Sequence, residues 1–450
     1  MNSTSGRYPT LSLALSSFNT RHFDSAPTPT RRLERMASVP YDVLVEILKW
    51  LIEPEQDEIS KSEALSPFEV IYGVQPSRGS HGRIYLRACC LVSKWWRVVA
   101  QPILQAHLCW STSAGKTAVE NLLKIDGMAS KVTSIEAGKT FCETCETCNP
   151  GGPCSCGISI ETVITILPTC PRLNRLVVNK WSGIDVASSI PSTPISTLPQ
   201  LTTLCIGSNN RLSLRTFCLI LQLMPALHTL SIDDIRNTSN DTIDDIPYPP
   251  CRLRSFVVWD ARDIEFDWLF HNSKDSLRIF NMYSNSPRNT VSFFRSLAHI
   301  GPSLRIFRCL GCWDSQVVLF ALQHCHKLEA LACCSGLDIL DDLANAACAN
   351  TLRRFTAAKV IRTVERRSKE WVIMFWSSEV LARMRQVVQK GVLPQLKECR
   401  LLTWAKERLV AVPKDELIAL KNECDRHGVV FDFARFDEAI SSDQEVWSEC

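Results

Sequence analysis

A six-residue pattern with apolar residues at its first, fourth and sixth positions recurs nine times between Leu173 and Leu401, and it constrains this chain more than any other feature. It reads Leu173-x-x-Leu176-x-Val178, Leu201-x-x-Leu204-x-Ile206, Leu227-x-x-Leu230-x-Ile232, Leu253-x-x-Phe256-x-Val258 and Leu277-x-x-Phe280-x-Met282. It continues as Leu304-x-x-Phe307-x-Cys309, Leu328-x-x-Leu331-x-Cys333, Leu352-x-x-Phe355-x-Ala357 and Leu396-x-x-Cys399-x-Leu401. The intervals are 28, 26, 26, 24, 27, 24, 24 and 44 residues. Alternation with period two is the mark of a strand with one buried face. Helix-like stretches lie between copies: Leu212 to Met224, Thr290 to Ile300, Ser315 to Cys325, Leu337 to Ala349, and Asp415 to Arg426 before a last strand at Val429 to Phe433. One strand–helix unit cannot cover its own apolar face, so the copies must stack.

The composition agrees with a large packed core. The chain has 450 residues, 45% hydrophobic and 22% charged, and 50 basic against 47 acidic side chains leave a net charge of +3. No global field favours nucleic acid or an anionic membrane, and neither is expected as a partner. Apolar runs such as Val317 to Leu322 fall far below the ~18 residues of a membrane helix, so a soluble protein is expected. Twenty-one cysteines without a secretory leader point to a reducing compartment, cytoplasmic or nuclear, where most thiols act as small apolar core residues. Residues 1–35, rich in Ser, Thr, Pro and Arg, read as a disordered tail, with a transit peptide as the lesser alternative, and 437–450 as a second tail.

Two amphipathic helices precede the repeats. Val39-Pro40-Tyr41-Asp42-Val43-Leu44-Val45-Glu46-Ile47-Leu48-Lys49-Trp50-Leu51 has apolar residues at helical spacing, with Pro40 suited to a first turn. Leu86 to Leu104 is the second helix, with Pro102 limiting its far end, and 53–83 reads as a loop. Val39-Pro40, Leu44-Val45-Glu46-Ile47-Leu48 and Leu91-Val92-Ser93-Lys94-Trp95-Trp96-Arg97, taken in order, resemble an F-box. Val39 replaces the usual Leu, and the loop is about thirty residues longer than in compact F-boxes. The plainer reading is a helical cap on the array. The resemblance implies docking onto a Skp-type adaptor of a cullin-RING ubiquitin ligase through Pro40, Leu44, Ile47, Leu48, Leu91, Val92 and Trp96.

The array in turn resembles the irregular leucine-rich repeats found behind F-boxes, whose period is roughly 20 to 29 residues. The expected fold is therefore α/β: a small helical F-box over 36–108, then a leucine-rich-repeat solenoid over 109–436 with parallel strands inside and helices outside. Two interruptions are expected, a Cys-rich loop at 141–157 and an insertion at 359–391 with basic residues beside Trp371, Phe375 and Trp376. A non-repeat α/β domain is the alternative.

Catalytic and metal motifs are weak. Cys142, Cys145, Cys148, Cys154 and Cys156 crowd into fifteen residues, and Cys142, Cys145, Cys154 and Cys156 could supply four thiolates to zinc. The spacing matches no standard zinc module, so an exposed thiol-rich loop is favoured and no cofactor is expected. Ala114-Gly115-Lys116-Thr117 ends like a phosphate-binding loop, but Trp110 stands where that loop needs Gly.

What remains is recognition. On a period-two strand the third, fifth and seventh positions face away from the leucines. That places Asp233, Trp259 and Tyr283 in one lateral ladder, with Asn281 and Arg308 close by, as a substrate-binding patch of aromatic and charged side chains. The function expected is a non-enzymatic substrate adaptor of an SCF-type ubiquitin ligase. The alternative is a leucine-rich-repeat scaffold with a non-functional F-box.

Overall fold

The computed structural model describes residues 90, 94–110, 113–137, 167–178, 197–207, 213–235, 243, 245–260, 264–282, 290–309, 315–334, 337–359, 377–403 and 413–435. All belong to the second of two compact units, Leu48–Cys450. The unit is built on one sheet of twelve parallel strands whose spatial order is their order in sequence. The strands are β1 (His107–Trp110), β2 (Ser134–Ala137), β3 (Arg175–Val178), β4 (Thr203–Ile206), β5 (Thr229–Asp234) and β6 (Ser255–Asp260). They continue with β7 (Ile279–Met282), β8 (Ile306–Cys309), β9 (Ala330–Cys334), β10 (Arg354–Lys359), β11 (Glu398–Thr403) and β12 (Val430–Arg435).

All nine pattern copies form strands, β3 to β11, and every copy pairs in the same register with the next. Phe256 stands opposite Leu230 and Phe280, and Phe280 opposite Phe307. The fourth and sixth positions are buried from Leu108 and Trp110 in β1 to Leu401 in β11, and they share one continuous apolar core with the helices. Only a sheet of constant register can keep every apolar side chain on one face.

β1 and β2 extend the array beyond the pattern. Helix α1 (Lys94–Ala106) runs straight into β1, so the array begins at His107. Pro102 was expected to limit this helix, yet α1 passes through it to Ala106. The carbonyl deprived of an amide by Pro102 is that of Val98, an exposed residue, and water can hydrate it there.

Among the described residues eight further helices connect the strands: α2 (Ser113–Leu123), α3 (Leu214–Gln222), α4 (Phe266–Leu269), α5 (Thr290–Ile300), α6 (Ser315–His324), α7 (Leu337–Asp342), α8 (Ser378–Gln389) and α9 (Lys414–Arg426). Ser213 caps α3 and Ser377 caps α8, each accepting an amide three residues on. Gly391 and Gly428 follow α8 and α9 with φ of 60° and 68°, the left-handed exit that glycine allows. Ala114-Gly115-Lys116-Thr117 lies inside α2 and forms no phosphate loop.

The stretch 359–391 is not wholly an insertion. β10 pairs directly with β11, so no strand intervenes, and α8 is the ordinary helix of that repeat. The basic and aromatic segment around Trp371 lies outside the described residues, as does the loop 141–157 with Cys142, Cys145, Cys154 and Cys156. Among the described residues no helix is long and apolar enough to cross a membrane, and no group of three metal-ligating side chains forms.

α4 is only four residues long, and large rings fill the space beside it. Phe280 lies 5.6 Å from Phe256 and 5.7 Å from Phe307 along the sheet, while Phe266, Phe270 and Phe293 close around it from the helical layer. Ion pairs tie neighbouring connections together outside this core: Arg215 to Asp245, Arg295 to Asp267, and Arg383 to Asp341. Nine described cysteines are buried, as expected of thiols used as small apolar residues.

Candidate partner-binding surfaces of the sheet

The ladders of the sheet position Asp233, Trp259, Asn281 and Arg308 among the candidate residues. The fifth position runs Glu136, Val177, Cys205, Ser231, Val257, Asn281, Arg308, Ala332, Thr356, Arg400 and Asp432 on successive strands. Its character changes along the sheet. Near the start Glu136, Arg175 and Cys205 are half-buried, and burial raises the Cys205 thiol above its ordinary value, with Arg175 opposing and Glu136 reinforcing that shift. Near the end Arg400 bridges Glu398 at 3.2 Å and Asp432 at 2.7 Å.

The centre differs from expectation. Asn281 and Arg308 are brought together on adjacent strands, but their exposures are 0% and 4%. Around them Ile279, Ile306 and Ala330 form a second apolar cluster on the face opposite the helices. As the chain stands, these two side chains are not offered to a partner, which corrects their assignment to an exposed patch. An apolar third position on three successive strands buries the polar fifth position beside it.

The remaining expected residues are placed only in part. Asp233 lies in β5 and Trp259 in β6, and the pairs Ile232 with Val258 and Asp234 with Asp260 bracket them in register. Nothing is described of their side chains, and Tyr283 lies outside the described residues. Of the F-box set, Trp96 lies half-buried in α1. Pro40, Leu44, Ile47, Leu48, Leu91 and Val92 lie outside the described residues.

One feature escaped the sequence reading. The second pattern position, directly after the first leucine, lies at the edge where the strands begin, and reads Arg254, Arg278, Arg305, Glu329, Arg353 and Lys397 over six consecutive repeats. Its backbone is rigid: the carbonyl of Arg254 accepts from the amides of Arg278 and Ile279, that of Arg278 from Arg305 and Ile306, and that of Arg305 from Glu329 and Ala330. Hydroxyls on the residue before the first leucine lock the same edge, Ser276 donating to the carbonyl of Leu253 at 2.8 Å and Ser303 to that of Leu277 at 2.7 Å. The sequence carries this signal as a charged residue directly after each first leucine from Leu253 to Leu396.

No protein-family model matches the chain, and no curated protein matches it either.

Proposed function

We propose that this chain is a substrate adaptor of an SCF-type, cullin-RING ubiquitin ligase: a leucine-rich-repeat array that holds a substrate protein, joined to an F-box that docks a Skp-type adaptor. The observation that supports it most is the in-register sheet of twelve parallel strands directly following helix α1, which opens with the Lys94-Trp95-Trp96-Arg97 part of the motif. Such a sheet presents the same pattern position on every strand at a spacing of about 4.8 Å, a broad rigid surface suited to a protein partner. The helical motif supplies the second surface.

Affinity purification of the full chain tests the reading. Wild type should recover a Skp-type adaptor and a cullin, and Leu44→Ala with Ile47→Ala should lose both, since buried aliphatic anchors of this kind contribute roughly 2 kcal/mol each. Trp259→Ala with Tyr283→Ala should lose the substrate while keeping the adaptor. Failure of wild type to recover any adaptor would overturn the F-box assignment.

A further inference from the structure

The strand-start edge carries a row of charged side chains. Arg254, Arg305, Arg353 and Lys397 are exposed on it and Arg278 is half-buried, with Glu329 as the one carboxylate in the row. Arg305 pairs with Glu329 at 3.2 Å, and the guanidinium of Arg278 donates to the carbonyl of Ser303. Arg254, Arg353, Lys397 and the neighbouring Lys327 have no carboxylate partner among the described residues. Like charges side by side on adjacent strands oppose folding. A row of them held rigid by the backbone is therefore a feature that an anionic partner would relieve.

Within the row a pocket of about 240 Å³ opens between Arg305, Lys327, Glu329 and Arg353, with amides from Asn350 and Gln395 on its wall. Three cations, one carboxylate and two amides make a site that takes a carboxylate and a neighbouring peptide group together. A uniform phosphate backbone suits it less well. Glu329 would repel phosphates at the centre of the row, and no aromatic side chain of the row offers a base a stacking surface. From Arg254, just before β6, to Lys397, just before β11, there are five strand steps, or about 24 Å, the reach of roughly seven extended residues.

We propose that this edge, from Arg254 to Lys397, docks an extended acidic segment of a partner protein, with one Asp or Glu side chain seated between Arg305, Lys327 and Arg353. The proposal rests on the reading of the array as a protein-binding surface, and it is independent of the F-box.

Fluorescence anisotropy with the full chain and a labelled decapeptide alternating Glu and Gly tests it. Wild type should bind the peptide, and binding should weaken as salt shortens the screening length. Arg353→Glu with Lys397→Glu should weaken it roughly tenfold or more, and the corresponding Gln pair by less. Lys124→Glu with Lys131→Glu, an equal charge change at exposed lysines elsewhere, should leave binding and the melting midpoint as in wild type. No measurable binding by wild type overturns the proposal, as does equal loss in the two charge-reversed proteins. Tighter binding of a ten-residue oligothymidylate, or of vesicles containing phosphatidylserine, that is lost in the edge variant would assign the row to nucleic acid or lipid instead. Loss of adaptor recovery in the Leu44→Ala, Ile47→Ala protein with peptide binding intact separates the two readings.

Discussion

Asn281 and Arg308 stand opposite each other on β7 and β8 and are both buried, yet neither amide atom of Asn281 has a hydrogen-bond partner among the described residues. An unsatisfied buried amide costs about 1 to 3 kcal/mol. Val257 is the partner of Asn281 on the other neighbouring strand, and Ile279 and Ile306 lie on the same face. Asn281→Val should therefore raise stability by about 1 to 2 kcal/mol in urea titration followed by circular dichroism. A lower midpoint would show that the amide has a partner worth more than its desolvation.

Phe280 is the centre of the aromatic core, fully buried and in ring contact with Phe256, Phe266, Phe270, Phe293 and Phe307. Phe280→Ala should cost about 3 to 5 kcal/mol, because the short α4 leaves no long helix to collapse into the cavity. In a linear array the loss falls first on adjacent repeats. Hydrogen exchange should rise in β6 to β8 before it rises in β3 or β11.

The core of the sheet was legible because its rule repeats: nine copies of one pattern give nine strands in one register. β1 escaped because Gln105 holds its first position and a helix runs directly into it, so no turn residue separates the two. Helix α8 was absorbed into a supposed insertion because the interval there is 44 residues, although Val380, Leu381, Met384, Val387 and Val388 hold helical spacing. The burial of Asn281 and Arg308 was not legible at all. Alternation tells which residues share a face, and it does not tell whether that face meets water. The edge row shows the converse, since Arg254, Arg278, Arg305, Arg353 and Lys397 follow their leucines at a fixed offset that the sequence displays openly.

Arg215 on α3 donates from both terminal nitrogens to Asp245, at 2.7 and 2.6 Å, and holds that carboxyl below its ordinary value of 3.8. A carboxyl depressed in the folded state stabilises above its unfolded value and loses that contribution as pH falls through its folded value. The pair should therefore open only below pH 3.8. Carboxyl carbon NMR should place the titration of Asp245 below 3.8 in wild type and closer to it in Arg215→Gln. An unchanged titration would show that the pair does not persist in solution.

The buried thiols shift the other way, and their effect belongs at alkaline pH. Burial pushes Cys218 and Cys325 up to about 12 and Cys251 and Cys348 up to about 11, from an ordinary value of 9.0. A thiol raised in the folded state keeps its proton there after the unfolded chain has begun to lose it. Its contribution to stability is complete below about pH 9 and declines as pH rises from there toward the folded value. Cys218 lies in α3, while Cys325 and Cys348 lie close together in the core, so thiolate formation at any of them would put charge into an apolar site. The melting midpoint should fall steadily between pH 9 and pH 11. Cys325→Ala with Cys348→Ala should start from a lower midpoint, because two buried side chains are shortened, and should show a shallower alkaline decline. In native protein at pH 8 these four thiols should resist alkylation by iodoacetamide, and they should react once the chain is unfolded in guanidinium. Modification of Cys218 or Cys325 at the rate of an exposed thiol, or a decline of equal slope in the double variant, would show that they do not sit neutral in the core.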